Sequence, residues 1–266
     1  MLDKQYYDEY VKTSGMVWDW LVSKSARVDQ VVENICKLRK YDSQSMYEEL
    51  LKVGFVFIPE TLDVSILRNP KFSKLGLFTQ NGRFLLTNRY MFPVRDMLGG
   101  ILAFIGWYPD EKRYITTPSE LFRKDCLFFG LDQLKGSGIN SRYVLVEGIF
   151  DSIAVRSLGY NCVAQMGSSA SPQKEVLYGL FSRLIAIPDA DKTGREVVSK
   201  NKWRLPANSS YVVWYQNREE NIVKQNSKEK GVKDIDDLVK VYAEEYSRYL
   251  LEDAMEDSSR VVSYKI

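Results

Sequence analysis

The chain has 266 residues, of which 45% are hydrophobic and 27% charged, with a net charge of +2, three cysteines and no histidine. This size and composition are typical of one large or two small globular domains with a buried core. The absence of histidine excludes Ser-His-Asp, Cys-His and histidine acid–base mechanisms. No structural zinc site is expected, because such a site needs four Cys or His ligands. Three scattered cysteines without a CxxC pair indicate a reducing, cytoplasmic location.

Residues 1–60 have the pattern of helices. Apolar residues recur at helical spacing over residues 28–38 and 46–51, and Gly54 follows the second group. This spacing predicts a helical N-terminal part. Its start is too polar for a signal peptide. The longest apolar run, residues 97–108, is far shorter than the roughly 20 residues that cross a bilayer, so no membrane partner is expected.

The sequence from residue 67 to residue 131 changes to short strands and turns. Asn81-Gly82 predicts a hairpin turn before an alternating run at residues 83–86, and Gly99-Gly100 predicts the turn of a second hairpin. Residues 68–124 contain ten Lys/Arg against four Asp/Glu. Cations interleaved with Tyr and Phe are typical of a groove for single-stranded nucleic acid. The alternative is a small antiparallel sheet whose outward positions are Arg and Lys.

Two apolar runs, residues 143–146 and 184–187, each end beside acidic residues. The acidic residues that follow the two runs are Glu147, Asp151, Asp189 and Asp191. A helical pattern follows each run, which predicts a parallel sheet with crossover helices. Because ligands bind outside the carboxyl ends of such strands, the four carboxylates are expected at one edge of the sheet.

The remaining segments continue the alternation of strands and helices. We predict a strand at residues 161–166, a small-residue loop, and a helix that Pro172 opens. A helix after Gly194 and a strand at residues 211–215 follow. Residues 219–257 then contain twelve Asp/Glu against six Lys/Arg, in two predicted acidic helices.

Gathered carboxylates repel one another unless cations neutralise them. Mg²⁺ and Mn²⁺ take oxygen ligands, and two such ions catalyse phosphoryl transfer without histidine. Each aspartate alone has a simpler alternative, since Asp151 and Asp191 could cap helices and residues 234–237 could favour the positive end of a helix. Glu147 closes a buried strand and has no such role. Taken together, the acidic residues favour a metal site with two or more Mg²⁺ or Mn²⁺ ions.

These residues resemble the paired motif of the TOPRIM family. The motif is Glu147-Gly148-Ile149-Phe150-Asp151 followed by Asp189-Ala190-Asp191-Lys192-Thr193-Gly194. Other segments are similar, in the same order, to those of bacterial and phage DNA primases. They are RYMFPVRD at 89–96, KRYITTPSE at 112–120, FRKDCLFFGL at 122–131, MGSS at 166–169 and GVKDIDDL at 231–238, where Ile235 replaces a proline.

The resemblance implies an α/β fold with a TOPRIM-like parallel-sheet domain. The implied parts are a mixed α+β basic, template-binding subdomain at 1–140, the TOPRIM catalytic domain at 141–218 and an acidic helical C-terminal segment at 219–266. It implies that Glu147, Asp189 and Asp191 are catalytic and bind metal. The implied metal set is completed by Asp151, Asp234 and Asp236. The residues implied to bind DNA or the nucleotide are Arg89, Arg95, Arg113, Lys124 and Lys192.

The implied reaction is DNA-directed synthesis of short RNA primers on single-stranded DNA from NTPs by two-metal nucleotidyl transfer. The resemblance and the small size suggest phage or mobile-element replication, in the cytoplasm of a bacterium or a phage-infected cell. The zinc module and the helicase-binding part of such primases have no counterpart in this sequence. A replicative helicase and a separate initiation or zinc-module factor are therefore expected partners. Two alternatives stay open: a TOPRIM metal-dependent nuclease, and a non-catalytic primase-like adaptor that binds single-stranded DNA.

Overall fold

The computed structural model describes most of the chain. The described residues are 3–110, 113–118, 121, 127–134, 142–167, 170–181, 183–200, 202–205, 209–212 and 234–258. The chain divides into two compact units, one of residues 1–40 and 50–123 and one of residues 41–49 and 124–266. The three-part division drawn from the sequence stays a prediction.

Three helices open the chain, as the apolar spacing predicts. They are α1 (Lys4–Lys24), α2 (Val28–Arg39) and α3 (Gln44–Val53). Asp3 caps α1 by accepting a hydrogen bond from the backbone N–H of Gln5 at 2.9 Å. Tyr10, Val17 and Leu21 form part of the buried face of α1, which packs on the first unit's core. Among the described residues, no helix combines the length and the apolar character that a membrane crossing needs.

An antiparallel sheet forms the centre of the first unit. Its strands are β1 (Val56–Ile58), β2 (Arg89–Arg95), β3 (Ile101–Tyr108) and β4 (Arg113–Thr116), in that spatial order. The predicted hairpin at Gly99-Gly100 is confirmed as the β2–β3 connection. The carboxylate of Asp96 stabilises this turn, since it accepts hydrogen bonds from the N–H groups of Leu98 and Gly100 at 2.8 and 2.9 Å.

The predicted hairpin at Asn81-Gly82 is present, but its second arm is shorter than the run at residues 83–86. Gly82 has a φ of +75° and donates to the carbonyl of Thr79 at 2.8 Å, as a tight turn requires. Beyond the turn, Phe84 makes a single bridge to Phe78, and the chain then turns again at Asn88, which has a φ of +56°. Burial of an apolar residue in the core therefore does not require a continuous strand here.

A parallel sheet forms the centre of the second unit and confirms the predicted fold class. Its strands are β5 (Arg142–Val146), β6 (Asn161–Ala164), β7 (Arg183–Ile187) and β8 (Ser210–Tyr211), in the spatial order β6-β5-β7-β8. The helices of this unit are α4 (Ile149–Ser157), α5 (Pro172–Leu177), α6 (Lys192–Ser199), α7 (Ile235–Val241) and α8 (Glu244–Ser258). The predicted strand at 211–215 is observed at its start, and residues 213–215 lie outside the described residues.

Helix α4 is buried along its whole length and carries a buried charge. Arg156 lies near its end, with Nε 3.2 Å from Oε2 of Glu49, and the two side chains are 7% and 11% exposed. The guanidinium also lies 5.7 Å from the centre of the Phe129 ring. An ion pair this deeply buried depends on both partners, because either charge alone would be desolvated without compensation.

We expect Glu49→Gln to lower the free energy of unfolding by about 3 kcal/mol, because the charge of Arg156 stays buried without its counter-ion. Urea denaturation followed by circular dichroism measures the change. Glu48→Gln, at the neighbouring exposed position, is the control and should change stability by less than about 0.5 kcal/mol. Equal stability of the two variants would contradict this account of the ion pair.

Candidate active site

Strands β5 and β7 bring two acidic segments to the same edge of the parallel sheet. The strands are direct neighbours, and Val146 at the end of β5 is paired with Ile187 at the end of β7. Glu147 follows Val146 directly, and Asp189 follows Ile187 after one proline, Pro188. Both strands are buried apart from their first residues, and Glu147 and Asp189 beyond their ends are half-buried. Strand pairing therefore fixes the spacing of the two acidic segments.

The segment that follows β6 holds the end of β5 in place. Gln165 donates its N–H to the carbonyl of Val146 at 2.7 Å, and Met166 donates to the carbonyl of Glu147 at 3.0 Å. Glu147 itself is half-buried, and its Oε2 atom is buried. Met166 has a φ of +59°, a left-handed backbone that costs a residue with a side chain roughly 1 kcal/mol. Backbone strain is thus stored next to Glu147.

Gly148 and Asp151 fit together at the start of α4. Gly148 is the N-cap residue, so the helix-capping alternative for Asp151 does not hold. The carboxylate of Asp151 is buried, and its Oδ1 atom accepts the backbone N–H of Asp236 at 3.0 Å. A Cβ atom on Gly148 would stand 2.2 Å from Oδ2 of Asp151. The glycine is therefore needed for the aspartate to occupy this position.

Asp189 and Asp191 are fixed by the first turn of α6. Asp191 is exposed and caps this helix, since its Oδ1 atom accepts the N–H of Gly194 at 2.9 Å. Gly194 packs so closely on the preceding loop that a Cβ atom there would lie 1.9 Å from the carbonyl oxygen of Asp189. Lys192, the first residue of the helix, is exposed. The capping alternative thus holds for Asp191.

A third group of carboxylates stands at the start of α7. Asp234 caps this helix by accepting the N–H of Asp237 at 2.7 Å. Asp236 is buried, and its carboxylate accepts hydrogen bonds from the hydroxyl of Tyr41 and from Nζ of Lys240. Within the part of the chain that the structure describes, carboxylate oxygens of Asp234, Asp236 and Asp237 come within 4.8 Å of one another.

One pocket gathers carboxylates from three of these segments. Asp151, Asp189 and Asp234 line it together with Ile187, Pro188 and Ile235. Burial, followed by the negative charges of Asp234, Asp236 and Asp189, raises the pKa of Asp151 well above its usual range. The pocket therefore concentrates negative charge that a bound cation would relieve. The chemistry of this donor set fits a hard divalent ion.

The raised pKa of Asp151 predicts how stability depends on pH without metal. Because the folded state holds this proton more tightly than the unfolded chain does, the free energy of unfolding should fall as pH rises from about 4 through the raised pKa. Asp151→Asn should remove that contribution and be more stable than the wild type at neutral pH. Urea denaturation in EDTA between pH 4 and 8 measures both effects. An unchanged pH dependence in the variant would contradict the assignment.

The predicted nucleic-acid-binding residues of the first unit stand at two ends of the antiparallel sheet. Arg89 begins β2, and its guanidinium lies 5.3 Å from the centre of the Tyr108 ring. Arg113 is paired with Tyr108 in the β3–β4 register, so Arg89 and Arg113 share one end of the sheet. Arg95 stands at the other end, where it donates to the carbonyl of Gly99 at 3.1 Å. Lys124 lies outside the described residues.

Several cations of the basic region bind aromatic rings of their own unit. The guanidinium of Arg68 lies 4.8 Å from the Phe78 ring and donates to the carbonyl of Gly82 at 2.7 Å. Lys74 lies 4.2 Å from the ring of Tyr6. These contacts are cation–π interactions within the fold. Arg68 and Lys74 lie in two short 3-10 helices rather than on the antiparallel sheet, so the alternative of outward-facing sheet positions does not describe them.

Two polar residues that support the acidic site, Lys174 and Tyr41, are not predicted from the sequence. Lys174 is fully buried, and its Nζ atom donates to the carbonyl of Gln165 at 2.5 Å and lies 5.1 Å from the Phe128 ring. It thereby anchors the segment that binds the end of β5. Tyr41 reaches Asp236 from 195 positions away in the sequence. No local pattern marks either residue, because both contacts depend on the folded chain.

Comparison with known proteins agrees with this geometry. Residues 144–239 match a family model described as Toprim-like. The DNA primase of Haemophilus influenzae is 29% identical over 179 residues, which cover 60% of this chain and 29% of that protein. The DNA primase of Escherichia coli K12 is 30% identical over 122 residues, which cover 44% of this chain and 20% of that protein. The matched stretches thus span less than a third of these curated relatives.

Solved structures are similar over nearly the whole chain. A DnaG primase catalytic domain bound to single-stranded DNA aligns with a TM-score of 0.72 at 20% identity, covering 95% of this chain and 81% of that chain. The Escherichia coli primase catalytic core aligns with a TM-score of 0.69 at 19% identity, covering 95% and 80%. Residues 144–239 thus resemble the Toprim-like family, and they contain nearly all of the parallel sheet with the acidic edge. The chain has the fold of bacterial-type DNA primase catalytic cores, which confirms the resemblance seen in the motifs.

Proposed function

We propose that this chain is the catalytic core of a DNA primase, which synthesises short RNA primers on single-stranded DNA. The observation that carries the proposal is the position of Glu147 and Asp189. They follow neighbouring parallel strands, in a fold shared with a primase catalytic domain bound to single-stranded DNA. The reaction would join a ribonucleotide to a primer 3′-hydroxyl and release pyrophosphate.

The acidic residues fit a divalent metal site for this reaction. Glu147, Asp189 and Asp191 would supply oxygen ligands, together with Asp151 and Asp234, which line one pocket with Asp189. Mg²⁺ or Mn²⁺ ions bound in such a site activate an attacking hydroxyl and stabilise a leaving oxygen. The protein's own part is positional: strand pairing sets the distance between the acidic segments, and the N–H of Gly194 orients Asp191.

Cationic residues would hold the polyanionic substrates. Arg89 and Arg113, at the end of the antiparallel sheet that contains Tyr108, would bind template phosphates. Lys192, exposed next to Asp191, would contact the triphosphate of the incoming nucleotide. Lys124, which lies outside the described residues, is proposed to bind the template or the nucleotide as well. Arg95 would act indirectly, by holding the β2–β3 turn.

The proposed cellular setting follows from the same role. A primase core acts with a replicative helicase and with a factor that selects the initiation site. We propose both as partners, in the cytoplasm of a bacterium or a phage-infected cell. Phage or mobile-element replication is the proposed process.

Primer synthesis by the purified chain tests the proposal. With single-stranded DNA, labelled NTPs and Mg²⁺ or Mn²⁺, we expect short RNA oligomers whose formation requires the DNA. Asp253→Asn, an exposed carboxylate on α8, should synthesise primers at the wild-type rate. Cleavage of the DNA without NTP incorporation would contradict the proposal and indicate a nuclease. DNA binding with neither product would contradict it as well and indicate an adaptor.

A further inference from the structure

Asp236 makes polar contacts with other residues of its unit through both its side chain and its backbone. Its side chain is buried, with only 4% of the residue exposed. The hydroxyl of Tyr41 donates to its Oδ1 atom, and Nζ of Lys240 donates to its Oδ2 atom. Its backbone N–H in turn donates to Oδ1 of Asp151 at 3.0 Å. Asp236 therefore links three segments of its unit: the stretch that contains Tyr41, α7 and α4.

The ammonium group of Lys240 lies beside the cluster of aspartates at the start of α7. Besides Asp236, its Nζ atom lies 3.5 Å from Oδ1 of Asp237 and 5.7 Å from the centre of the Tyr41 ring. The Lys240 side chain is only 21% exposed, so water screens its charge incompletely. An ammonium group at this position attracts the carboxylates and repels a second cation that would bind the same oxygen atoms.

We propose that Asp236 is a positioning residue rather than a metal ligand. Lys240 neutralises its carboxylate, Tyr41 fixes the orientation of that carboxylate, and the backbone N–H of Asp236 holds Asp151 in the pocket. The inference rests on the proposed function and narrows the set of metal ligands. The ligands that remain are Glu147, Asp151, Asp189, Asp191 and Asp234.

Tyr41 has a specific part in this arrangement. Its ring packs 6.4 Å from the ring of Phe150, next to Asp151 in α4, while its hydroxyl binds Asp236 in α7. One side chain thus contacts both helices that contribute acids to the pocket. A residue far from the TOPRIM motifs in sequence determines how those acids are arranged.

Mn²⁺ binding to the full-length chain, followed by electron paramagnetic resonance, tests the inference. The variant Asp236→Asn combined with Lys240→Met should bind as many ions as the wild type, with Kd within about threefold, because carboxylate and counter-charge are removed together. Asp234→Asn and Glu147→Gln remove proposed ligand oxygens and should each lower the number of bound Mn²⁺ ions. Asp253→Asn is the surface control. Loss of Mn²⁺ in the double variant as severe as in Asp234→Asn would overturn the inference.

A double-mutant cycle without metal separates this inference from the proposed function. In EDTA, Lys240→Met and Asp236→Asn should each lower Tm, and the double variant should lose less than the sum of the two losses. Lys240→Arg should recover the Tm that Lys240→Met loses. Added Mn²⁺ should raise the Tm of Lys240→Met more than that of the wild type, because the carboxylates then lack their own cation.

If the two single variants lower Tm additively in EDTA, the inference is overturned, because Lys240 and Asp236 then do not act as a pair. A wild type that binds no Mn²⁺ would instead contradict the proposed metal-dependent function. In that case the cycle in EDTA still decides whether the pair exists.

Discussion

Asp189→Asn is expected to lower the rate of primer synthesis by a factor on the order of 10³ or more, equivalent to about 4 kcal/mol of transition-state stabilisation. The substitution replaces one carboxylate oxygen by an amide nitrogen and changes the side-chain volume little. Asp189 lines the acidic pocket beside Asp151 and Asp234. The amide would remove both a ligand and a negative charge from that pocket.

Asp189→Asn should lower activity without lowering stability. Loss of one repulsive charge from the pocket should leave Tm in EDTA unchanged or raised, while steady-state NTP incorporation falls. Asp253→Asn, which neutralises an exposed aspartate of α8, controls for the change in net charge. An Asp189→Asn protein that retains activity within about tenfold of the wild type would remove this residue from the active site.

Gly194→Ala is expected to lower the rate of primer synthesis by a factor on the order of 10² or more, because its side chain would clash with the backbone of Asp189. The added Cβ atom would stand 1.9 Å from the carbonyl oxygen, 2.9 Å from the carbonyl carbon and 3.0 Å from the backbone nitrogen of Asp189. These are backbone atoms of a short loop, so the loop has to move as a unit. A displacement of about 1 Å in a catalytic group is enough for such a loss.

Gly179→Ala is the matched control for this substitution. A Cβ atom at Gly179 would meet nothing within 4 Å, and the residue belongs to the same unit. We expect its activity to be close to that of the wild type. Steady-state NTP incorporation, with circular dichroism as the check on folding, measures both variants. Wild-type activity in Gly194→Ala would show that the packing on Asp189 does not support the site.

The parallel sheet and its acidic edge are the features that the sequence predicts best. Strands β5 and β7 are buried beyond their first residues, so each is a continuous apolar run, and each run ends where the chain becomes polar. That transition marks Glu147 and Asp189 without any knowledge of the fold. The alternation at residues 83–86 predicts the structure less well, because the second arm of the hairpin there is limited to a bridge at Phe84.

The arrangement around the carboxylates is only partly visible in the sequence. Capping roles of Asp191 and Asp234 follow from their place before a helix, and the structure has both. The contact of Tyr41 with Asp236 joins residues 195 positions apart and leaves no periodic signal. Lys174 is equally hidden, because composition cannot distinguish a buried lysine from the exposed ones that are far more common.

The basic region shows why charge patterns overstate a binding surface. Arg68 and Lys74 belong to the run of cations and aromatics, yet each lies over a ring of its own unit. Sequence alone cannot tell a ring that is covered by the protein's own cation from a ring that is open to a base. Arg89 also lies over a ring of its own unit, that of Tyr108. Arg89 and Arg113 stay candidates because the strand register places both at one end of the sheet.

Template-directed incorporation is the most direct test of the central proposal. Homopolymer templates are supplied with one labelled NTP at a time, in Mg²⁺ or Mn²⁺, and the products are separated on a denaturing gel. Oligo-dT should direct synthesis from ATP and oligo-dC from GTP, each pair failing with the other nucleotide, and Asp189→Asn should give no product. Incorporation that ignores the template, or shortening of the template without NTPs, would contradict a primase core.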